Sequence, residues 1–155
     1  MTPEERQRAV LTAIAFGDRA RYAELREPFT GPDYQSEFDH LEAAARVCLV
    51  YQLGEPPTGG HMSTEERAGL GRFITELCQA GPEYRPPSNF LETEGVIRGL
   101  RGERSLTGHI GGHRLQITYQ FLIHYLTATT PEIRGDFDTV IEQAREHLLQ
   151  RLLHG

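Results

Sequence analysis

Apolar residues recur along most of this chain at helical spacing. Phe38, Leu41, Ala45, Cys48 and Leu49 fall at three- and four-residue steps, and Gln52 continues the row. That arrangement leaves Glu37, Asp39, Glu42 and Arg46 to face outward. Leu70, Phe73, Ile74 and Leu77 repeat the pattern, and Phe137, Val140, Ile141, Ala144, Leu148 and Leu152 repeat it again. Each row predicts an amphipathic helix with one buried face. Leu149 and Leu153 widen the last face beyond what a core helix requires, so part of it is expected to bury against a partner.

Local start and stop signals set the helix ends. Thr2, Pro3 and Glu5 open a helix reaching about Phe16, and Gly17-Asp18 separates it from a shorter one over Arg19 to Arg26. Asp33 is read as the cap of the Phe38 helix, which stops at Gly54 before the loop Glu55-Pro56-Pro57-Thr58-Gly59-Gly60. Ser63 and Glu66 form a second capping box, with helix to about Ala80. Gly81-Pro82 and Pro86-Pro87 frame a further loop. Beyond it, Asn89 and Glu92 cap a short, weak helix that Gly95, Gly99 and Gly102 fray into loop. Thr130-Pro131 ends the element before the last helix, which Asp136 caps.

The stretch from His113 to Thr129 supports two periods. Leu115, Ile117, Tyr119, Phe121, Ile123 and Tyr125 alternate as in a strand, and Ile110-Gly-Gly-His113 could close a hairpin over residues 104-119. Gln116, Gln120, His124 and Thr127 instead make one narrow polar stripe at helical spacing, opposite Leu115, Tyr119, Leu122 and Leu126. An unbroken run of this length is long for a strand and ordinary for a helix, which favours a central, mostly buried helix. The fold class expected is all-α: a single-domain bundle of about five to six helices over residues 1-155, with the hairpin as the alternative.

Composition narrows the chemistry. At 155 residues with 38% hydrophobic content, the chain can bury a core without metals or disulfides. A net charge of −6 opposes broad attachment to nucleic acid or anionic lipid. The sixteen basic residues are all arginine. Without lysine, the phosphate-loop, pyridoxal, Schiff-base and protein-kinase mechanisms cannot operate in their usual form. Cys48 and Cys78 sit in apolar helical patterns and are both expected to be buried thiols. No basic, apolar leader and no long apolar run is present, so a cytoplasmic location away from membranes is expected.

Candidate ligating and catalytic groups are sparse. Of His109, His113 and His124, a hairpin points the first two to opposite faces, and a helix brings them together only by ordering two interior glycines at about 1 kcal/mol each, so ligation is not expected. Glu37 and His40 match a Glu-x-x-His pair but lack the second pair and the two further carboxylates that a dinuclear site needs. Ser105 and Thr107 near His109 have no triad spacing. No catalytic residue, metal or cofactor is assigned. Between residues 98 and 114, Arg98, Arg101, Arg104 and Arg114 stand against the single Glu103, a segment suited to an acidic partner or an anion.

Two functions are therefore weighed. The first is a non-enzymatic protein-interaction module, an adaptor, regulatory subunit or immunity-type protein. It would contact a protein partner or a second copy, as in a homodimer, through the arginine segment and the last helix. The alternative is a small-molecule-binding bundle, which could be an enzyme, with a pocket furnished by Arg114, Tyr119, His124 and Tyr125. A helix-turn-helix nucleic-acid binder ranks third, because no basic recognition helix is present.

Overall fold

The local signals do place helices. In the computed structural model, which describes residues 1–103 and 106–154, Thr2 accepts the Glu5 backbone N–H at 3.1 Å and opens α1 (Pro3–Ala15). Gly17, at φ +69°, turns the chain, and Asp18 caps α2 (Arg19–Arg26). The long helix α3 (Gly31–Leu53) starts earlier than its sequence suggests. Thr30 is its N-cap, and Asp33 is the returning half of a capping box, its carboxylate accepting the Thr30 N–H at 2.9 Å. Then follow α4 (Thr64–Cys78), α5 (Phe90–Leu100), α6 (Gly112–Thr129), α7 (Pro131–Gly135) and α8 (Phe137–His154).

The described residues thus form an all-α bundle of eight helices rather than five or six. The extra elements are short: α2 was separable in the sequence, but the five-residue α7 is too brief to show a period. Its Ile133 is nonetheless fully buried. The hairpin alternative fails, because the described part of residues 104-119 contains no strand and enters α6. No described helix is long and apolar enough to cross a membrane.

The axis of the bundle is α3, which packs against α6 along one side and α8 along another, with α1 also in contact. It runs antiparallel to α8, as the links Glu42–Arg151 and Tyr51–Gln143 show. Ala43, Ala44 and Ala45 are all fully buried, so α3 is enclosed on several sides instead of presenting a single buried face. Small side chains there let neighbouring helices approach closely. That enclosure also draws in Glu37, which is 1% exposed and not outward-facing.

Helix α6 is enclosed in the same way, with Tyr119, Phe121, Leu122, Ile123, Tyr125 and Leu126 all buried. A helix covered on most of its circumference needs no wide polar face, and this explains why its apolar residues also mimic strand alternation. Elsewhere two expectations are corrected: Cys78 lies exposed on α4, and Leu152 is 83% exposed because the last turns of α8 run past the core. Glycine in α5 serves close approach and not fraying, since a Cβ on buried Gly99 would meet Thr107 Cγ2 at 2.5 Å.

Candidate functional site

The corner between α1 and α2 is where the chain's polar residues converge. A side chain at Gly17 is disfavoured twice, by its positive φ and because a Cβ would stand 2.8 Å from His124 Cε1. With neither obstacle present, the corner closes over the imidazole. His124 Nδ1 lies 3.0 Å from the Ala15 carbonyl, so Nδ1 carries the donated proton and Nε2 is left toward the cleft's other groups without a hydrogen-bond partner among the described residues.

Tyr84 also packs against the imidazole. It sits on the one-turn helix Pro82–Tyr84, with its ring 5.3 Å from that of His124 and edge-on to Tyr125 at 5.2 Å. Tyr125 in turn donates to Glu76 Oε1 on α4 at 2.8 Å, and burial together with that carboxylate holds its phenol well above the usual range. Between the corner, α6 and the Tyr84 turn lies a cleft of about 540 Å³. Ala13, Ile14 and Phe121 give it apolar walls, Tyr22, Gln120 and His124 give it polar edges, and Arg19 and Arg85 stand at its mouth. Arg85 is the one described non-glycine residue with positive φ (φ 53°, ψ 56°), and it precedes Pro86. That left-handed conformation costs about 1–2 kcal/mol, and a following proline disfavours it further.

The wall of the cleft is backed by a half-buried polar cluster around the buried Glu37. Gln120 Nε2 donates to the Tyr22 hydroxyl at 2.9 Å, and one turn earlier Gln116 Nε2 donates to Glu37 Oε1 at 2.8 Å. Arg26 Nε lies 3.0 Å from Glu37 Oε2, as a close charge pair without hydrogen-bond alignment. Its guanidinium is held 5.0 Å above the rings of both Tyr22 and Tyr34. Burial outweighs these partners and raises the Glu37 carboxyl above its ordinary value. The Tyr22 phenol is raised as well, by burial first and by Glu37 second.

The residues singled out from the sequence do not assemble into one site. His124 lines the cleft. Tyr119 is turned elsewhere on α6, 4% exposed and edge-on to Phe38 at 5.6 Å, where burial pushes its phenol up to about 12. Arg114, ten residues before His124 and so about 15 Å away along the helix axis, pairs with Glu92 of α5. Arg98 and Arg101 line a second cleft, of about 550 Å³, beneath α4. There Arg98 grips Glu103 through two bonds of 2.6 and 2.8 Å, and Arg101 donates to the Gly54 and Glu55 carbonyls at 2.9 and 3.2 Å. Arg104 lies outside the described residues.

Although the second cleft is as large, its central arginines are already satisfied. Neither cleft has all its arginines engaged: Arg19 and Arg85 at the His124 cleft and Arg72 at the second form no ion pair with a described residue. Sequence reasoning missed Tyr22, Tyr84, Arg85 and the burial of Glu37; the stripe of Gln116, Gln120 and His124 was the signal that pointed there. Glu37 is turned to Gln116 and Arg26, while His40 Nδ1 lies 2.7 Å from the Ser36 carbonyl. No group of three or more His, Cys, Asp or Glu among the described residues is placed to hold a metal. Comparison of the chain with protein-family models, with curated proteins and with solved structures returns no match.

Proposed function

We propose that this chain is a helical ligand-binding domain that takes a small organic molecule in the cleft beside His124. The observation that carries this reading is an opening of about 540 Å³ with aromatic and aliphatic walls and a few converging polar groups. Small-molecule sites have this size and this make-up. The part-buried bonds Gln120–Tyr22 and Gln116–Glu37 hold the polar edge before any ligand arrives, which lowers the cost of binding.

The test is titration with phenylnaphthylamine, a neutral aromatic fluorophore. Saturable one-site binding is expected, and Ile117→Trp, which fills the cleft from its half-exposed rim, should abolish it. Fluorescence that survives this substitution but disappears with Leu149→Ser and Leu152→Ser would overturn the reading.

A contact with a second copy of the chain ranks next. It rests on Leu149, Leu152 and Leu153, which are 57%, 83% and 79% exposed on the last two turns of α8. Three side chains are a small part of the roughly 800 Å² a side that a stable interface buries. Sedimentation velocity across concentration decides this reading: a reversible dimer weakened by Leu152→Ser supports it, and a concentration-independent monomer removes it.

A further inference from the structure

We infer that the cleft beside His124 recognises a flat, apolar molecule by a hydrogen bond that the molecule donates from an N–H or O–H group, with His124 Nε2 as the accepting atom and Gln120 Oε1 beside it as a second. This rests on the cleft being a ligand site, and adds to that reading the hydrogen-bonding group the ligand must carry.

The charged residues of the cleft do not make the choice. Asp18 and Glu83 stand at its mouth with Arg19 and Arg85; all are exposed, and their formal charges cancel. Further in, the lining holds no carboxylate or guanidinium: Ala13, Ile14 and Phe121 are buried, and Tyr22, Gln120 and His124 are only partly exposed. Selection therefore falls to the edge that the last three residues form.

That edge has turned its donors onto the protein itself. The Nδ1 proton of His124 goes to the Ala15 carbonyl at 3.0 Å, and an Nε2 proton of Gln120 goes to the Tyr22 hydroxyl at 2.9 Å. The Tyr22 phenol is raised by burial first and by the Glu37 charge second, and that charge draws the phenol proton to itself, leaving the oxygen to accept from Gln120. Acceptors are what remain. Neither the imidazole Nε2 nor the carboxamide Oε1 has a hydrogen-bond partner among the described residues, and a single further N–H of Gln120 stands against them. Four residues apart on α6, the two side chains share one face of the helix.

The surroundings keep Nε2 open and in place. A Cβ at position 17 would stand 3.2 Å from it, so glycine there leaves the atom uncovered. The bond to Ala15 and the Tyr84 ring orient the imidazole before a ligand arrives. A ligand acceptor brought to this edge would face a lone pair, whereas a donor completes the bond that the chain leaves unmade.

Carbazole and dibenzofuran test this, because they share a flat three-ring frame and differ only in an N–H against an ether oxygen. Each is titrated as a displacer of phenylnaphthylamine at about pH 8.5, where imidazole is ordinarily neutral. Carbazole is expected to bind roughly tenfold more tightly. His124→Phe keeps a ring and removes both nitrogens, and should bring the two affinities together by weakening carbazole alone. A second measurement needs no variant: in the 15N-labelled chain, the His124 Nε2 resonance should move when carbazole is added and stay in place with dibenzofuran.

Equal affinities for the two frames, an Nε2 resonance indifferent to carbazole, or a preference that survives in folded His124→Phe would overturn the donor inference while phenylnaphthylamine still binds. If phenylnaphthylamine shows no binding that Ile117→Trp removes, the cleft itself fails as a ligand site, and this inference fails with it.

Discussion

Helix α6 and the end of α8 both invert the usual rule of polar residues outside and apolar residues inside, in opposite directions. On α6, Gln116, Gln120 and His124 turn inward, and each meets a specific partner in Glu37, Tyr22 and the Ala15 carbonyl. On the last turns of α8, Leu149, Leu152 and Leu153 turn outward into exposure. The first inversion is compensated bond by bond within the chain, so it fixes where α1, α2 and α3 sit against α6. The second needs no partner to be tolerated, because an exposed leucine leaves no hydrogen bond unmade. Buried polarity is therefore the more informative of the two departures in this molecule.

That contrast can be broken most directly at Arg26. Arg26→Ala leaves Glu37 buried without its cation, and a loss of about 3–5 kcal/mol is expected by chemical denaturation at neutral pH. Gln116→Ala takes the donor from Glu37 Oε1 and should cost about 1–3 kcal/mol. The pH profile sharpens the same point. Glu37 is raised above its ordinary value of 4.5, so the folded state keeps this proton longer than the unfolded chain does. Its contribution to stability is fully present below that ordinary value and is lost as pH rises through the folded value. Glu37→Gln should flatten this decline in thermal melts, and an unchanged profile would place the titration elsewhere. At the small end, Leu152→Ser should shift stability by no more than about 0.5 kcal/mol. A loss there exceeding that of Gln116→Ala would reverse the comparison and mean that the α8 leucines are covered in solution.

The two thiols repeat the contrast at a single reactive group. Cys48 is fully buried, and burial pushes its thiol up to about 12, whereas Cys78 is exposed on α4. Maleimide should therefore label the native chain once, at Cys78, and reach Cys48 only on denaturation, as read by mass spectrometry.

What could be read from the sequence was local. Thr2 with Glu5 and Ser63 with Glu66 place helix starts because the bonds involved span three residues. The α6 stripe was legible because a spacing of four survives whatever surrounds the helix. Glu37 was not legible: its burial depends on α3 being enclosed by helices from distant parts of the chain, which its own neighbourhood does not encode. The same holds for Tyr84 and its neighbour Arg85, which read as loop between prolines, whereas the Tyr84 ring packs against His124 and Tyr125 of α6. Tyr119 and Arg114 were grouped with His124 by shared chemistry. Helix geometry separates them, since five residues turn a side chain to a different face and ten carry it about 15 Å along the axis.

The fit between Gly17 and His124 also constrains how this chain can change through descent. A methyl group at position 17 would intrude on the imidazole, and the backbone there already favours a residue without a side chain. The two positions therefore behave as one inherited character. Lineages that keep the histidine are expected to keep the glycine, and those that lose the glycine should carry something smaller at 124. Such paired replacement, sought across diverged copies of this chain, would trace the cleft through evolutionary time without any ligand in hand.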